Sequence, residues 1–128
     1  MSTLAVATIK SISSAAPVFQ NTSGTEIGSL PKMWINFNGT GTIAIRDDFN
    51  VSSITDNGTG DYSVSFTNAM SDTNYCTLGT SNYSRTPGNG RLFTGFRSNA
   101  TGSVRVQLLG DGGQEFDSED VCIAIFGD

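Results

Sequence analysis

The chain of 128 residues is predicted to be all-β, a single antiparallel β-sandwich of about eight strands, jelly-roll-like, with an extended N-terminal arm. Three observations predict this class. Short stretches of apolar–polar alternation recur along the chain, the connections between them are rich in Gly, Asn, Asp and Ser, and no helical pattern lies between them. Hydrophobic residues make up 37% of the chain, and counting the 15 glycines as apolar brings it to an ordinary globular level, which disfavours a disordered chain.

Residues 1–30 are predicted to form an extended arm for attachment or assembly, with at most one short strand. The arm is rich in Ser, Thr and Ala, its apolar periodicity is too weak for a helix, and Pro17 would interrupt one. Such a segment cannot offset its own ordering entropy, so we expect it to pack against neighbouring subunits or a larger assembly. A flexible N-terminus is the alternative. The candidate assembly residues are Leu4, Val6, Ile9, Ile12, Val18 and Phe19.

Residues 31–128 are predicted to form the β-sandwich domain. The clearest strand is the one in which Tyr62, Val64 and Phe66 alternate with polar residues, and the preceding DNGTG predicts a hairpin turn. The last strand, VCIAIF, is apolar on both faces, which predicts either a central position or burial against another subunit. The expected strands are Lys32–Phe37, Thr42–Arg46, Asn50–Thr55, Asp61–Thr67, Tyr75–Thr80, Leu92–Arg97, Ser103–Leu109 and Asp120–Phe126.

Trp34 shares its alternation with Asn36, opposite Ile35 and Phe37. We interpret it as a contact in the core or with another subunit, in preference to a platform for stacking carbohydrate.

The charge and the distribution of apolar residues disfavour several classes of partner and location. The formal net charge is −5 and the seven basic residues are scattered, which disfavours nucleic acid and anionic membrane surfaces. No apolar run approaches the ~20 residues that a bilayer span requires, and the first residues lack a basic segment followed by an apolar one. We therefore expect assembly in a bacterial cytoplasm, from a chain that is complete at Met1.

The residue inventory disfavours catalysis and cofactor binding. Without histidine there is no ordinary Ser-His-Asp or Cys-His arrangement, and most aspartates fall in turns, where backbone geometry favours them. We predict no enzyme activity, no cofactor and no metal. The acidic loop Gly110–Asp120 has oxygen ligands that calcium prefers but lacks the known loop pattern, so ion binding there stays open. Cys76 and Cys122 are predicted to be free, buried thiols, with a bridge between them left open.

The loop Ser81–Gly90 is the longest unpatterned connection apart from the acidic one. Tyr and Arg are enriched at recognition surfaces, and here they stand on a Gly, Pro and Asn frame. An idle surface loop is the alternative. The candidate receptor or glycan contacts are Tyr83, Arg85, Asn89 and Arg91.

Several stretches resemble a module found in tail-fibre and related virion proteins of tailed bacteriophages. They are WINFNGTGT, IRDDFNVSSITDNGTGDY and VSFTNAMSDTNY, with TIKSISSAAPVFQNTSGTEIG in the arm. The resemblance implies an oligomeric virion component, typically a homotrimer, on the exterior of the tail or capsid. The function it implies is that of a structural virion protein, a short tail-fibre or fibre-tip module for host attachment. The alternative is a capsid-decoration or head-fibre protein. Its partners would be its own copies, other virion proteins through the arm, and a host-surface glycan or protein.

Overall fold

The computed structural model describes residues 5–6, 8–10, 17–82, 93–110 and 112–127. The chain divides into two compact units, Met1–Leu30 and Pro31–Asp128. The described residues are all-β and contain no helix. Within them, nothing offers the long apolar helix that crossing a bilayer would require.

The first unit contains a small antiparallel hairpin, so there are two short strands where the sequence predicted at most one. Strand β1 (Phe19–Gln20) pairs with β2 (Glu26–Gly28). The connection is held by Asn21, whose Oδ1 accepts hydrogen bonds from the backbone N–H groups of Ser23 (3.0 Å) and Thr25 (2.9 Å). This is the local bonding that makes Asn a turn residue.

The second unit contains eight strands, each within a few residues of its predicted position. They form two antiparallel sheets, neither of which closes into a barrel, with strand orders β4-β3-β10-β7 and β5-β6-β9-β8. The order places β10 centrally, between β3 and β7. The strands are β3 (Met33–Asn38), β4 (Ala44–Phe49), β5 (Val51–Gly58), β6 (Asp61–Phe66), β7 (Cys76–Ser81), β8 (Phe93–Ala100), β9 (Ser103–Leu109) and β10 (Val121–Phe126).

Alternate residues of the central strands of both sheets form one hydrophobic core. Every second residue of β3 and β10 is buried, and the same holds for β6 and β9 in the other sheet. Phe37 and Tyr62 meet in the core edge to face, with ring centroids 5.1 Å apart. The fully buried side chains include Met33, Ile35, Phe37, Tyr62, Val64, Val104, Val106, Leu108, Val121 and Ile125.

One residue, Asn50, separates β4 of the first sheet from β5 of the second. Its φ of +61° is the left-handed conformation, which turns the chain from one sheet to the other. The Asn50 side chain donates to the carbonyls of Lys32 (3.0 Å) and Asn68 (3.1 Å) and accepts from the Asn68 N–H (2.7 Å). The chain therefore changes sheets at a single, strongly bonded residue.

Of the two alternatives for Trp34, a place in the core is wrong, and a contact with another subunit stays a prediction. Trp34 is half-buried on the opposite side of β3, because alternation gives the core side to Met33, Ile35 and Phe37. The expectation that both cysteines are buried is also wrong. The cysteines are free, but Cys76 is exposed and Cys122 only half-buried. Both lie on the outward positions of their strands. Apolar character in the sequence does not tell which face of a central strand meets the core.

Candidate functional site

The outer face of the first sheet, turned away from the core, carries apolar side chains in a row across all four strands. The pairing register aligns Phe49 of β4 with Trp34 of β3, Trp34 with Ala124 of β10, and Ala124 with Leu78 of β7. Phe49 and Leu78 are 54% and 55% exposed. Isolated exposed hydrophobic residues are normal, whereas a continuous apolar patch marks an interaction site.

A second row lies beside the first. It aligns Asp47 of β4 with Asn36, Asn36 with Cys122, and Cys122 with Thr80 of β7. In the two rows, all charge is confined to the β4 edge, and the outward residues of the other three strands are uncharged. The six residues of the two rows that lie on β3, β10 and β7 are called the groove face below; they are Trp34, Asn36, Leu78, Thr80, Cys122 and Ala124.

The groove face contains a groove of about 550 Å³. Its floor is β10, whose outward residues Cys122 and Ala124 are small, and its walls are the larger Trp34 and Leu78 on the flanking strands. Neighbouring strands are ~4.8 Å apart, so the walls stand about 10 Å apart. That width suits a single row of bulky side chains from another surface.

Polar contacts border the groove at one end. Arg46 forms an ion pair with Asp120, and its Nη1 also donates to the Oδ1 of Asn36 (3.2 Å). The Asn36 amide in turn donates to the Cys122 Sγ (3.2 Å). The result is an apolar centre with a hydrogen-bonded polar edge, the usual anatomy of a protein–protein contact.

The outer face of the second sheet is polar. Asp61 of β6 is only 5% exposed. It accepts two hydrogen bonds from Arg105 (2.8 and 2.7 Å) and lies 3.2 Å from an Arg97 nitrogen. The hydrogen-bonded Arg105 holds the pKa of Asp61 below its usual value, against the opposing effect of burial. These charges neutralise one another, so the face is a solvated surface crossed by ion pairs.

The acidic loop between β9 and β10 places its carboxylates on different partners. Glu115 accepts hydrogen bonds from Arg97 (2.9 Å) and Gln107. Asp117 accepts from the buried Tyr62 hydroxyl (2.6 Å) and from the Gly60 N–H (2.8 Å). Burial, reinforced by the neighbouring Asp117, raises the pKa of Tyr62 far above its usual value. Glu115 and Asp117 therefore fasten the loop to the second sheet at separate points.

No group of three His, Cys, Asp or Glu side chains converges on a possible metal position among the described residues. The carboxylates just described each bond to an arginine, an amide or a tyrosine of the same chain. This arrangement holds the fold together, whereas the groove face presents apolar side chains that could contact another molecule.

The predicted site residues are only partly described by the structure. Tyr83, Arg85, Asn89 and Arg91, the candidate receptor contacts, lie outside the described residues, as do Leu4 and Ile12 of the arm. The four candidate arm residues that the structure describes are exposed, by 52% at Val6, 62% at Ile9, 59% at Val18 and 42% at Phe19. Exposed apolar side chains suit an assembly arm, which stays a prediction.

The sequence reasoning did not single out Phe49, Leu78 or Ala124. Two signals pointed towards them. The last strand is apolar on both faces, and Trp34 occupies the face opposite two core residues. What was missing was the strand order, which places β3, β10 and β7 side by side.

Searches against protein-family models, curated proteins and solved structures gave no match.

Proposed function

We propose that this chain is a structural protein of a tailed-bacteriophage virion that works by surface contact and not by catalysis. The observation that carries a contact role is the difference between the two outer faces: one holds an uncharged groove lined by Trp34 and Leu78, the other a network of ion pairs. An exposed apolar face costs solubility unless it is covered in the working state. The virion assignment rests on the motif resemblance.

Within the virion, the proposed role is a short tail-fibre or fibre-tip module for host attachment. The N-terminal arm would join other virion proteins through its exposed apolar residues, and the loop carrying Tyr83 to Arg91 would contact a host-surface glycan or protein. The chain would work as a homo-oligomer, for which the resemblance implies a trimer.

The finer fold assignment belongs to the same proposal. Two stacked sheets with a common core suit a β-sandwich. The first and last strands of the second unit, β3 and β10, pair with each other, and β6 pairs with β9 inside them. This nesting of strand pairs supports a jelly-roll-like sandwich.

A capsid-decoration or head-fibre protein is the second candidate. The groove face favours it equally, because an uncharged apolar surface suits packing between many copies of an acidic protein.

Imaging particles of the encoding phage with and without the gene tests both roles. For a fibre, we expect density to disappear from the tail and host adsorption to fall, with both restored by a plasmid copy. Density lost from the capsid with normal adsorption would support the decoration role. Particles of unchanged composition would contradict both.

A further inference from the structure

We propose that the groove face is where two copies of this chain associate, packed sheet against sheet, with the Trp34 side chain of each copy filling the groove of the other. The inference rests on the proposed contact role of this face and names its partner. It does not depend on the virion assignment. It predicts a two-fold symmetric dimer instead of the trimer that the motif resemblance implies.

The order of side chains in the apolar row carries the argument. A two-fold interface uses the same patch on both copies, so the patch must complement itself. A two-fold axis parallel to the strands, between β3 and β10, reverses the row, which reads Phe49, Trp34, Ala124, Leu78. Trp34 then faces Ala124 of the second copy, and Phe49 faces its Leu78. The largest side chain meets the smallest, over the floor of the groove.

The second row is compatible with the same axis. Reversal places Asn36 opposite Cys122 of the second copy and Asp47 opposite its Thr80. No like charges oppose each other in either row, although the chain carries a net charge of −5. An axis perpendicular to the strands would instead stack Trp34 on itself and leave both grooves empty. The parallel axis is therefore the arrangement that fills the groove.

The size of the face sets the expected strength. Four strands at ~4.8 Å spacing and six residues at ~3.3 Å give a face of roughly 19 by 20 Å, or about 400 Å² per copy. Stable interfaces bury ~800 Å² per partner, so this pair belongs to the weak, concentration-dependent class. We expect a dissociation constant in the micromolar range. Dimers would therefore form mainly where many copies of the chain are concentrated together.

Sedimentation equilibrium of the full chain from about 1 to about 500 µM is the primary measurement. We expect a reversible monomer–dimer equilibrium. Trp34 is the only tryptophan, so its fluorescence should shift to shorter wavelength over the same concentrations as the indole leaves water.

Two substitutions probe the contact in opposite ways. Leu78→Glu places a charge on the exposed wall, and Ala124→Phe fills the groove with apolar surface. Both should raise the dimer dissociation constant at least about tenfold, as expected of a well-packed contact. Thr55→Glu is the control: Thr55 is also exposed, on an edge strand of the other sheet, and gains the same charge. Thermal unfolding of each variant separates misfolding from lost association.

Each possible result either supports or overturns the dimer proposal. A dimer weakened by both groove variants and not by Thr55→Glu supports the proposal. A wild type that is monomeric throughout, a trimer, or a dimer indifferent to Leu78→Glu overturns it. A dimer tightened by Ala124→Phe would indicate nonspecific apolar contact and overturn the reciprocal insertion. If the chain is monomeric in solution and is still found in particles, the dimer proposal fails and the virion proposal is unaffected.

Discussion

At the scale of single residues, Asp61 shows how a buried charge is accommodated in this protein. The carboxylate is almost wholly covered, yet Arg105 bonds both of its oxygens and Arg97 lies beside it. Bidentate pairing of this kind offsets the cost of taking a carboxylate out of water. Asp61 opens β6, next to the hairpin turn, so the pairing also fixes the start of a core strand.

The pairing predicts a specific pH dependence of stability. The pKa of Asp61 is lowered in the folded state from an ordinary value of 3.8. The ion pair therefore stabilises fully above the unfolded pKa, and its contribution is lost as pH falls through the folded one. In urea unfolding, the free-energy difference between wild type and Asp61→Asn should be largest near pH 6 and shrink below about pH 4.

Asp48→Asn is the matched control for this series, since Asp48 is an exposed aspartate on β4. Its difference from wild type should stay small across the whole range. A constant difference between wild type and Asp61→Asn from pH 6 to pH 2 would show that Asp61 does not act through its charge.

At the scale of elements, the sequence predicted where the strands lie along the chain better than which strands pair with one another. Alternation in β6 and β9, together with Gly- and Asn-rich turns, determines local structure, so all eight strands lie close to their expected positions. Sheet order depends instead on contacts between distant segments. For that reason the central place of β10 remained one of two alternatives, the side of β3 that Trp34 occupies was left open, and Cys122 was wrongly expected to be buried.

The junction between β4 and β5 is the element-scale feature most open to test. Asn50→Gly loses the side-chain hydrogen bonds but adopts the left-handed conformation without strain. Asn50→Ala loses the same hydrogen bonds and is also strained in that conformation. A left-handed Ala costs roughly 1–2 kcal/mol and each lost hydrogen bond about 1 kcal/mol. With three such hydrogen bonds, Asn50→Gly should lose roughly 3 kcal/mol in urea unfolding, and Asn50→Ala roughly 4–5 kcal/mol.

Thr67→Ala, a change at an exposed position close to the junction, should be nearly neutral by comparison. Equal losses for the Gly and Ala variants would indicate that backbone conformation at Asn50 contributes nothing to the change of sheets.

At the scale of the whole molecule, the second unit contains everything needed for its own core. Among the described residues, every member of the hydrophobic cluster lies between Met33 and Ile125. The arm residues Val18, Phe19 and Ile27 remain 59%, 42% and 67% exposed. A two-stranded hairpin of this size is marginal in water by itself. We therefore expect the arm to add little to the stability of the second unit, and its role in contacts with other proteins stays a prediction.

Deleting residues 1–30 should leave the second unit folded, with a free energy of unfolding within about 1 kcal/mol of the full chain. If the arm anchors the protein to other virion components, the same deletion should abolish incorporation into particles. A flexible Gly/Ser segment of equal length is the control, and it should behave like the deletion. Normal incorporation of the truncated protein would contradict the arm-docking role.

The pairing of β3 with β10 has a consequence for the timing of assembly. The paired residues are 84 to 92 positions apart in the chain, so at ordinary rates of translation the ribosome needs roughly 5 to 20 s to supply the missing strand. Until then the first sheet is incomplete, and the floor formed by Cys122 and Ala124 does not exist. Unfinished or prematurely terminated chains would thus be unable to recognise a second copy. Synthesis of β10 would itself be the condition for association, and chains that stop before β10 would be excluded without a separate quality-control protein.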